Sequence, residues 1–346
     1  MKSSFYQYTL PELQELFALN GLPSSGPGLM FNWHYKKRKT EPCVIDLAKK
    51  SIAFVDQNFS FDLPQLDTVH ESQDKTVKFL FKFKDDQKVE TVLIPFNGKY
   101  TICISSQVGC AMKCSFCHTG TQGLKRHLST EEIIGQFLEA QRWLTKNRPD
   151  DDRILNIVFM GQGEPLHNFD AVKKACEIFL TQHGLSLAPH KITISTAGYL
   201  PGLQRWKAEM PKVNIAVSLH SVIKEKRDKL IPINQRYPVE DVMKFAEEIP
   251  EGRTRFVTYE YLMIKNFNDS DEDAHITGRA LQGKNVYISL IPFNPFPGTE
   301  YERPEMHEVD HFKSILDTYK IPTLIRKTKG DEILAACGQL HSGKKA

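Results

Sequence analysis

The segment Cys110-Ala111-Met112-Lys113-Cys114-Ser115-Phe116-Cys117 is the most informative part of the chain. It follows an apolar, β-branched run at 102–105 and precedes a helical pattern at 130–145, which opens with a plausible cap at Ser129. Three cysteines this close together are typical ligands of an iron–sulfur cluster, whose cubane form contains four irons. Three thiolates leave one iron open, so the sequence predicts a centre that binds and activates a substrate.

A structural zinc site is the main alternative for these thiols. Zinc normally takes four ligands from paired C-x-x-C elements, and no second cysteine pair lies nearby. His118 or His127 could still complete a tetrahedron. Buried free thiols are the third interpretation, and the spacing favours it least.

Around this loop the sequence alternates between strand-like and helix-like segments. Helical patterns, such as the one at 170–182, separate six apolar, β-branched runs. These runs are Ile102–Ser105, Ile154–Met160, Lys191–Ser195, Val213–Leu219, Arg255–Met263 and Val286–Ile291. Strands that alternate with helices form a parallel sheet of βα units, so we expect an α/β fold. Chemistry in such folds collects at the carboxyl ends of the strands.

The first 95 residues follow a different pattern. Helical patterns at 10–19 and 29–35 flank a breaker cluster at 21–28. Alternating runs at 77–81 and 89–94 then indicate a β-hairpin. We therefore expect an accessory α+β region at 1–95 with a small antiparallel sheet, a core domain at 96–330 and a C-terminal segment at 331–346.

Composition and cysteine usage exclude several classes of protein. Of the 346 residues, 40% are hydrophobic and 25% are charged, as in ordinary globular domains. No apolar run approaches the roughly 20 residues that span a bilayer. The N-terminus lacks a signal-peptide pattern, and seven cysteines without export signals indicate metal binding in a reducing cytosol. We therefore expect a cytoplasmic protein with no membrane partner.

Basic residues are concentrated in three short clusters, although the net charge is only +3. The clusters lie at 36–39, 125–127 and 326–329. Such clusters suit the phosphate backbone of a nucleic acid. They are equally typical of a solvated surface, and the sequence leaves both interpretations open.

Several further motifs occur in an order and spacing that resemble a known family. They are TICISSQVGC at 101–110, GQGEPL at 161–166, SLH at 218–220, IPFNPFPG at 291–298, RKTKG at 326–330 and AACGQL at 335–340. The C-x-x-x-C-x-x-C spacing is the signature of radical S-adenosylmethionine enzymes. The whole stretch from about Val77 to Leu340 resembles the RlmN/Cfr family of RNA adenine methyltransferases. Gln162 departs from the family, which usually shows methionine there, and the first 70 residues match loosely.

The resemblance implies a partial (β/α)6 barrel that binds a [4Fe–4S] cluster and S-adenosylmethionine. Cys110, Cys114 and Cys117 would hold the cluster. The implied cofactor-binding residues are Gly163, Glu164, Ser195, Ser218, Leu219, His220 and Asn294. Without the family, a serine there is as often a helix cap, and a histidine is as often a structural one.

The resemblance also assigns catalytic roles outside the cluster loop. Cys337 would carry the methyl group, Cys103 would be the second catalytic thiol, and Glu90 would be the proton acceptor. A lone cysteine is most often an inert buried one; the matching contexts of Cys103 and Cys337 reverse that expectation. Cys43 and Cys176 lie in no matching motif, and we interpret both as structural.

In the implied reaction, Cys337 takes a methyl group from one cofactor molecule, and a radical derived from a second abstracts hydrogen from it. The carbon radical adds to an adenine, and a Cys103–Cys337 disulfide releases the product. The implied substrates are an adenosine in the peptidyl transferase centre of 23S rRNA and, for some members, one in the tRNA anticodon loop. A reductant protein such as flavodoxin or ferredoxin and a monomeric state are also expected.

Alternative functions remain at this point. The segment 291–298 favours methylation at C2 over the C8 chemistry of the Cfr branch, and a paralogue with another RNA substrate stays open. A different radical enzyme would not need Cys103 paired with Cys337. A non-catalytic zinc protein that binds RNA would be colourless and would not cleave the cofactor.

Overall fold

The computed structural model describes residues 2–39, 41–42, 46–151, 153–249 and 257–342. Cys43 and the first two residues of the predicted run Arg255–Met263 lie outside these ranges. The strands are β1 (Ser3–Ser4), β2 (Phe59–Ser60), β3 (Gln65–Glu71), β4 (Val77–Lys82), β5 (Lys88–Phe96), β6 (Lys99–Cys103), β7 (Gln107–Gly109), β8 (Leu124–His127), β9 (Ile154–Phe159), β10 (Ile192–Thr196), β11 (Asn214–Ser218), β12 (Val257–Met263), β13 (Val286–Pro292) and β14 (Thr323–Ile325). The helices are α1 (Leu10–Leu19), α2 (Gly26–Phe31), α3 (Lys49–Asn58), α4 (Thr130–Asn147), α5 (Phe169–Leu180), α6 (Leu200–Glu209), α7 (Lys224–Leu230), α8 (Val239–Glu247), α9 (Asp271–Leu281) and α10 (Met306–Thr318).

Ten strands form one open sheet in the order β14-β13-β12-β11-β10-β9-β6-β5-β4-β3. From β6 and β9 to β14 the pairings are parallel, and the spatial order follows the chain order. In a doubly wound sheet the spatial order of the strands reverses partway along the chain. In a barrel each new strand is added on the same side of the previous one, as it is here. Because β14 and β3 are unpaired edges, this barrel is partial, which confirms the predicted α/β class.

The two faces of the parallel sheet carry different side chains. Successive residues of a strand point to opposite faces. Ile157, Ile194 and Leu290 are fully buried in the main hydrophobic core. Ser195 follows Ile194, and Ser218 and Glu260 lie on the neighbouring strands β11 and β12, paired opposite each other. The sequence alternation thus places a polar site on one face and the core on the other.

Local signals explain where the main helices begin. Helix α4 starts at a reciprocal capping box, in which Ser129 Oγ accepts a hydrogen bond from the Glu132 amide and the Glu132 carboxylate accepts one from the Ser129 amide. The predicted cap is therefore confirmed. Helix α1 begins with a capping box of the same kind at Thr9. None of the helices that the structure describes is long and apolar enough to cross a membrane.

The predicted hairpin strands are present, but they do not form a separate small sheet. Strand β5 pairs antiparallel with β6, with Val92 opposite Cys103, so β3, β4 and β5 extend the main sheet. Strand β3 was not predicted because most of its side chains are exposed and polar. Strand β14 was also missed, since it has only three residues and Leu324 is 71% exposed. Helix α3 was missed as well.

After β14 the chain bridges the two edges of the open sheet. Lys329 lies 3.7 Å from Asp74, in the turn between β3 and β4, and the Gly330 amide donates to the same carboxylate at 3.2 Å. The Gln73 amide donates to Glu332 at 2.6 Å. We call residues 330–342 the carrier segment, because they contain Cys337.

Candidate active site

One cleft collects most of the predicted site residues at the carboxyl ends of the parallel strands. It encloses about 820 Å³ of space, including solvent at its open mouth. Nine predicted residues line it: Cys110, Cys114, Cys117, Gly163, Glu164, Ser195, Ser218, His220 and Cys337. The other four predicted residues do not line the cleft: Glu90, Cys103, Leu219 and Asn294. The cleft therefore unites residues that are up to 227 positions apart in the chain.

Backbone contacts fix the three-cysteine loop, residues 110–117. Gly109 has a φ of +73°, and a Cβ there would lie 1.8 Å from the Gly123 carbonyl, so this position requires glycine. The Cys110 amide donates to that carbonyl at 3.0 Å. The Cys117 amide donates to the Cys114 carbonyl at 3.2 Å, which closes a turn between two of the thiols. The Ser115 amide also donates to the Leu230 carbonyl at 3.1 Å, at the end of α7, so both neighbouring and distant residues set the loop shape.

The chemistry of the thiols fits a cluster better than a single metal ion. Burial raises the pKa of all three thiols, to about 12 for Cys110, and neighbouring cysteines raise it further. Iron coordination is therefore needed to keep them as thiolates at neutral pH. Within the described ranges, no three His, Cys, Asp or Glu side chains are grouped to hold one metal ion. A cubane needs no such grouping, because each cysteine binds a different iron.

The turn after β9 brings backbone and a carboxylate into the cleft. Gly163 has a φ of +104°, and a Cβ there would lie 2.6 Å from Gln107. Glu164 accepts hydrogen bonds from the Ala197 amide at 2.8 Å and the Leu166 amide at 3.0 Å. Burial raises the pKa of Glu164 to about 7, although these hydrogen bonds oppose the rise. An ammonium group in the cleft would stabilise its charged form.

The ends of β10 and β11 supply further polar groups. Ser195 donates to Glu260 at 2.8 Å, and the Leu219 amide donates to the Glu260 carbonyl at 2.9 Å. Leu219 is fully buried in the main core, and its carbonyl accepts a hydrogen bond from Arg227 at 3.0 Å. His220 accepts a hydrogen bond from the Leu262 amide at 3.0 Å. Burial and the charge of Arg227 lower the pKa of His220 to about 3, so the ring is neutral.

An ion pair in the cleft was missed by the sequence analysis. Glu260 lines the cleft, and its carboxylate lies 3.1 Å from Arg326. Arg326 belongs to a cluster whose basic residues were candidates for RNA backbone contacts, but this guanidinium is paired inside the protein. An acidic residue in the otherwise apolar strand β12 was the available signal. Arg126, from another basic cluster, is likewise held by Asp85 and Glu132.

Contacts with distant parts of the chain hold the carrier segment against the cleft. The His118 amide donates to the Gly338 carbonyl at 2.7 Å, and Thr119 Oγ1 donates to the Leu340 carbonyl at 2.7 Å. The Asn294 amide group donates to the Cys337 carbonyl at 3.1 Å. Asn294 therefore holds the carrier segment, in addition to lying beside the cleft.

The two predicted catalytic thiols lie near each other, and both are free. Cys103 packs with Val92, Ala335 and Leu340 in a small apolar cluster. Burial, followed by the neighbouring Cys337, raises the pKa of Cys103 to about 12, while Arg326 opposes the rise. Cys103 is thus a protonated thiol at neutral pH. Cys176, by contrast, is fully buried in the main core, as expected of a structural cysteine.

Glu90 lies on β5, behind the cleft, and is only 7% exposed. Its Oε1 atom lies 2.9 Å from the Lys78 ammonium, and its Oε2 atom accepts a hydrogen bond from the His341 amide at 2.8 Å. Both carboxylate oxygens are therefore oriented, one by β4 and one by the carrier segment. Lys78 was not predicted, because a single lysine in a strand is usually a surface residue.

Comparison with known proteins agrees with this site. Residues 104–276 match the family model of the Radical SAM superfamily. The partial barrel and its three-cysteine loop are those of a radical S-adenosylmethionine enzyme, and its cofactors are a [4Fe–4S] cluster and S-adenosylmethionine.

The similarity extends to particular proteins. The chain is 42% identical over 341 residues to the probable dual-specificity RNA methyltransferase RlmN of Aquifex aeolicus, covering 97% of this chain and 96% of that one. It is 39% identical to the dual-specificity RNA methyltransferase RlmN of Brucella anthropi, covering 99% and 88%. A radical SAM methyltransferase structure from Sphaerobacter thermophilus matches with a TM-score of 0.90 and 35% identity, covering 99% and 100%. The chain belongs to the RlmN family of radical SAM methyltransferases.

Proposed function

We propose that the protein methylates C2 of an adenosine in the peptidyl transferase centre of 23S rRNA and an adenosine in the tRNA anticodon loop. The names of its relatives as dual-specificity RNA methyltransferases support an RNA substrate. The position of Cys337 carries the proposal, because this thiol lines the same cleft as the three loop cysteines. A radical enzyme that modifies peptides would not need a second thiol there.

The cofactor-binding residues are assigned by their positions around the cleft. Cys110, Cys114 and Cys117 hold the cluster. When bound, the cluster and S-adenosylmethionine supply the radical chemistry that an electron-poor ring carbon requires. Glu164 accepts a hydrogen bond from the ammonium group of the cofactor, and Gly163 permits its close approach. The remaining contacts come from Ser195, Ser218, the Leu219 backbone, His220 and Asn294.

Three residues of the chain move the methyl group and the protons. The sulfur of Cys337 loses its proton and bonds to the methyl carbon, while the bond from that carbon to the sulfonium sulfur breaks. Once this carbon is linked to C2 of adenine, Cys103 loses its proton and attacks the sulfur of Cys337. The sulfur–sulfur bond forms as the carbon–sulfur bond breaks, and the electron pair of the broken bond stays on the carbon, which takes up a proton to become the methyl group. Glu90 accepts the proton that leaves C2 of the ring.

The same proposal assigns roles to the other regions and partners. Residues 96–330 form the catalytic core, 331–346 present the methyl carrier, and 1–95 contact the RNA. The target adenine must leave its stack to reach the cleft, which favours loops over duplex RNA. Electrons from a reductant such as flavodoxin or ferredoxin complete the cycle. The protein works as a monomer in the cytoplasm, where its RNA substrates occur.

Nucleoside analysis tests this function directly. Total rRNA and tRNA are compared by mass spectrometry from cells with the gene, without it, and with a Cys337→Ala copy. We expect 2-methyladenosine only with the intact gene. If the modified nucleoside co-elutes with 8-methyladenosine instead, the enzyme has the C8 chemistry. If the nucleosides of the three strains do not differ, the proposal is contradicted.

A further inference from the structure

Lys78 is a buried charge that the reaction described above does not use. It is the second residue of β4, between the buried residues Val77 and Phe79, and its side chain is 11% exposed. A lysine loses favourable hydration in such a place and is retained only if other groups compensate. Its contacts therefore show what it does.

The first contact is the ion pair with Glu90. Lys78 and Glu90 lie on adjacent antiparallel strands, at diagonal positions on the same face. The 2.9 Å separation of Nζ and Oε1 is that of a charge-assisted hydrogen bond. The contact fixes the direction in which this carboxylate oxygen points.

The second contact joins the same ammonium to the carrier segment. Lys78 Nζ donates to the Leu334 carbonyl at 3.2 Å, three residues before Cys337. Glu90, the other member of the ion pair, contacts the carrier segment on the C-terminal side of Cys337. Its Oε2 atom accepts a hydrogen bond from the amide of His341, four residues after Cys337. One ion pair thus holds the carrier segment on both sides of its cysteine.

Glu90 still has capacity to act as an acceptor. An ionised carboxylate offers about four lone-pair sites, and Lys78 and His341 occupy two of them. An ammonium group has three donors, of which two are used here. The contacts therefore orient Glu90 and leave lone pairs of its carboxylate available to accept.

We propose that Lys78 is a positioning residue, which sets the orientation of Glu90 and couples it to the Cys337-bearing segment. The inference rests on the proposed function of Glu90 as the proton acceptor. Lys78 itself does not line the cleft. Its loss should slow removal of the ring proton and release of the RNA, and should spare the earlier methylation of Cys337.

Four variants of the reconstituted holoenzyme test this role under anaerobic conditions: K78M, K78R, E90Q and the double variant. The RNA probe is a transcript of the tRNA anticodon arm, with a 23S rRNA fragment of the peptidyl transferase centre in parallel. Mass spectrometry follows Cys337 methylation without RNA, then the decay of the protein–RNA adduct. We expect K78M to keep Cys337 methylation within about twofold and to slow adduct decay by about 10²-fold, the typical effect of misplacing a catalytic group.

The matched variants separate positioning from folding. K78R keeps the positive charge and should recover most of the decay rate. In the E90Q background K78M should slow adduct decay only slightly further, through the loss of its contact with Leu334, because its main effect acts through Glu90. Adduct decay at the wild-type rate in K78M, an additive loss in the double variant, or parallel loss of Cys337 methylation would overturn the inference.

Hydrogen exchange tests the coupling without any RNA. K78M and E90Q should each speed amide exchange in residues 331–342 by about fivefold or more, the equivalent of one lost hydrogen bond. Unchanged exchange would refute the coupling. If the wild type methylates neither RNA while hydrogen exchange responds as expected, the proposed function is wrong, but the coupling of Lys78 and Glu90 to the carrier segment is still supported.

Discussion

The three-cysteine loop and the carrier segment bring thiols to the same cleft in opposite ways. The loop places three cysteines within eight residues and is shaped by neighbours such as Gly109 and Gly123. The carrier segment presents Cys337 through partners elsewhere in the chain, among them Asn294, Thr119 and Lys78. The spacing of the loop cysteines is thus local in the sequence, although Ser115 also ties the loop to α7, whereas the position of Cys337 depends on contacts that the complete fold makes.

This difference means that the two activities can be separated by mutation. Changes in the loop should remove the iron and every later step. Changes in the contacts of the carrier segment should leave the iron in place and affect only the transfer. The following predictions are ordered from the largest expected effect to the smallest.

Cys114→Ala should abolish iron binding and all methylation, because two cysteines cannot hold the cluster. The measurement is iron content and visible absorption of anaerobically purified protein, with about four irons per chain expected for the wild type. Cys176→Ala is the control, since that thiol is buried in the core and should leave the iron unchanged. A brown, iron-replete Cys114→Ala protein would remove this residue from the ligand set.

Cys337→Ala should retain the iron and produce no methylated RNA, because the carrier thiol is missing. Slow cofactor cleavage should continue, uncoupled from transfer, and chromatography of the cleavage products measures it. Product formation at the wild-type level would exclude Cys337 as the carrier. Loss of iron in this variant would instead make the carrier segment part of the cluster site.

Cys103→Ala should accumulate a covalent protein–RNA adduct, because the thiol that breaks the carbon–sulfur bond is absent. Denaturing gel electrophoresis with labelled RNA detects the adduct, and Cys103→Ala combined with Cys337→Ala should show none. Clean release of methylated RNA by the single variant would refute the role of Cys103.

Thr119→Val should reduce methylation by about fivefold, the equivalent of one hydrogen bond of about 1 kcal/mol, because it releases the Leu340 carbonyl. Valine has a similar shape, so the packing around residue 119 is retained. Iron content should not change. The test is the turnover rate divided by iron content, and a proportional fall in both would place the effect in the loop.

His220 gives the smallest effect, which concerns stability against pH. Its folded pKa of about 3 lies below the unfolded value, so stability is complete above about pH 6.5 and is lost as the pH falls. Between pH 7 and 5.5 the loss should be about 1 kcal/mol. His220→Asn should lack this loss, since asparagine does not titrate and tolerates the φ of +56°.

Urea unfolding of both proteins at the two pH values measures this loss. His220 packs edge-on against Phe116 of the three-cysteine loop, with ring centroids 4.6 Å apart. The His220→Asn variant therefore also shows whether the neutral His220 ring stabilises the three-cysteine loop. Equal pH dependence of the two proteins would contradict the assigned pKa.

The sequence predicted the parallel strands because their buried runs are apolar and β-branched over several residues. The cluster loop was predictable because its ligands are adjacent. Strand β14 was not, since three residues with an exposed Leu324 carry no periodicity and form a strand only by pairing with β13. The division of the chain at residues 95 and 330 stays a prediction.

The missed site residues share one physical reason. Lys78 and Glu260 are charged residues within largely apolar strands, and each is stabilised by a partner outside its own strand, Glu90 on β5 and Arg326 after β14. Their pairings arise only when separate strands align, so no spacing rule reveals them. The inward position of Arg326 has the same cause, because its partner Glu260 lies on a separate strand.

The bridge from β14 to the turn around Asp74 has a mechanical consequence. It closes the seam of an otherwise incomplete cylinder, and the residues that close it lead directly to Cys337. Closure of the sheet and placement of the Cys337 thiol therefore depend on the same few contacts.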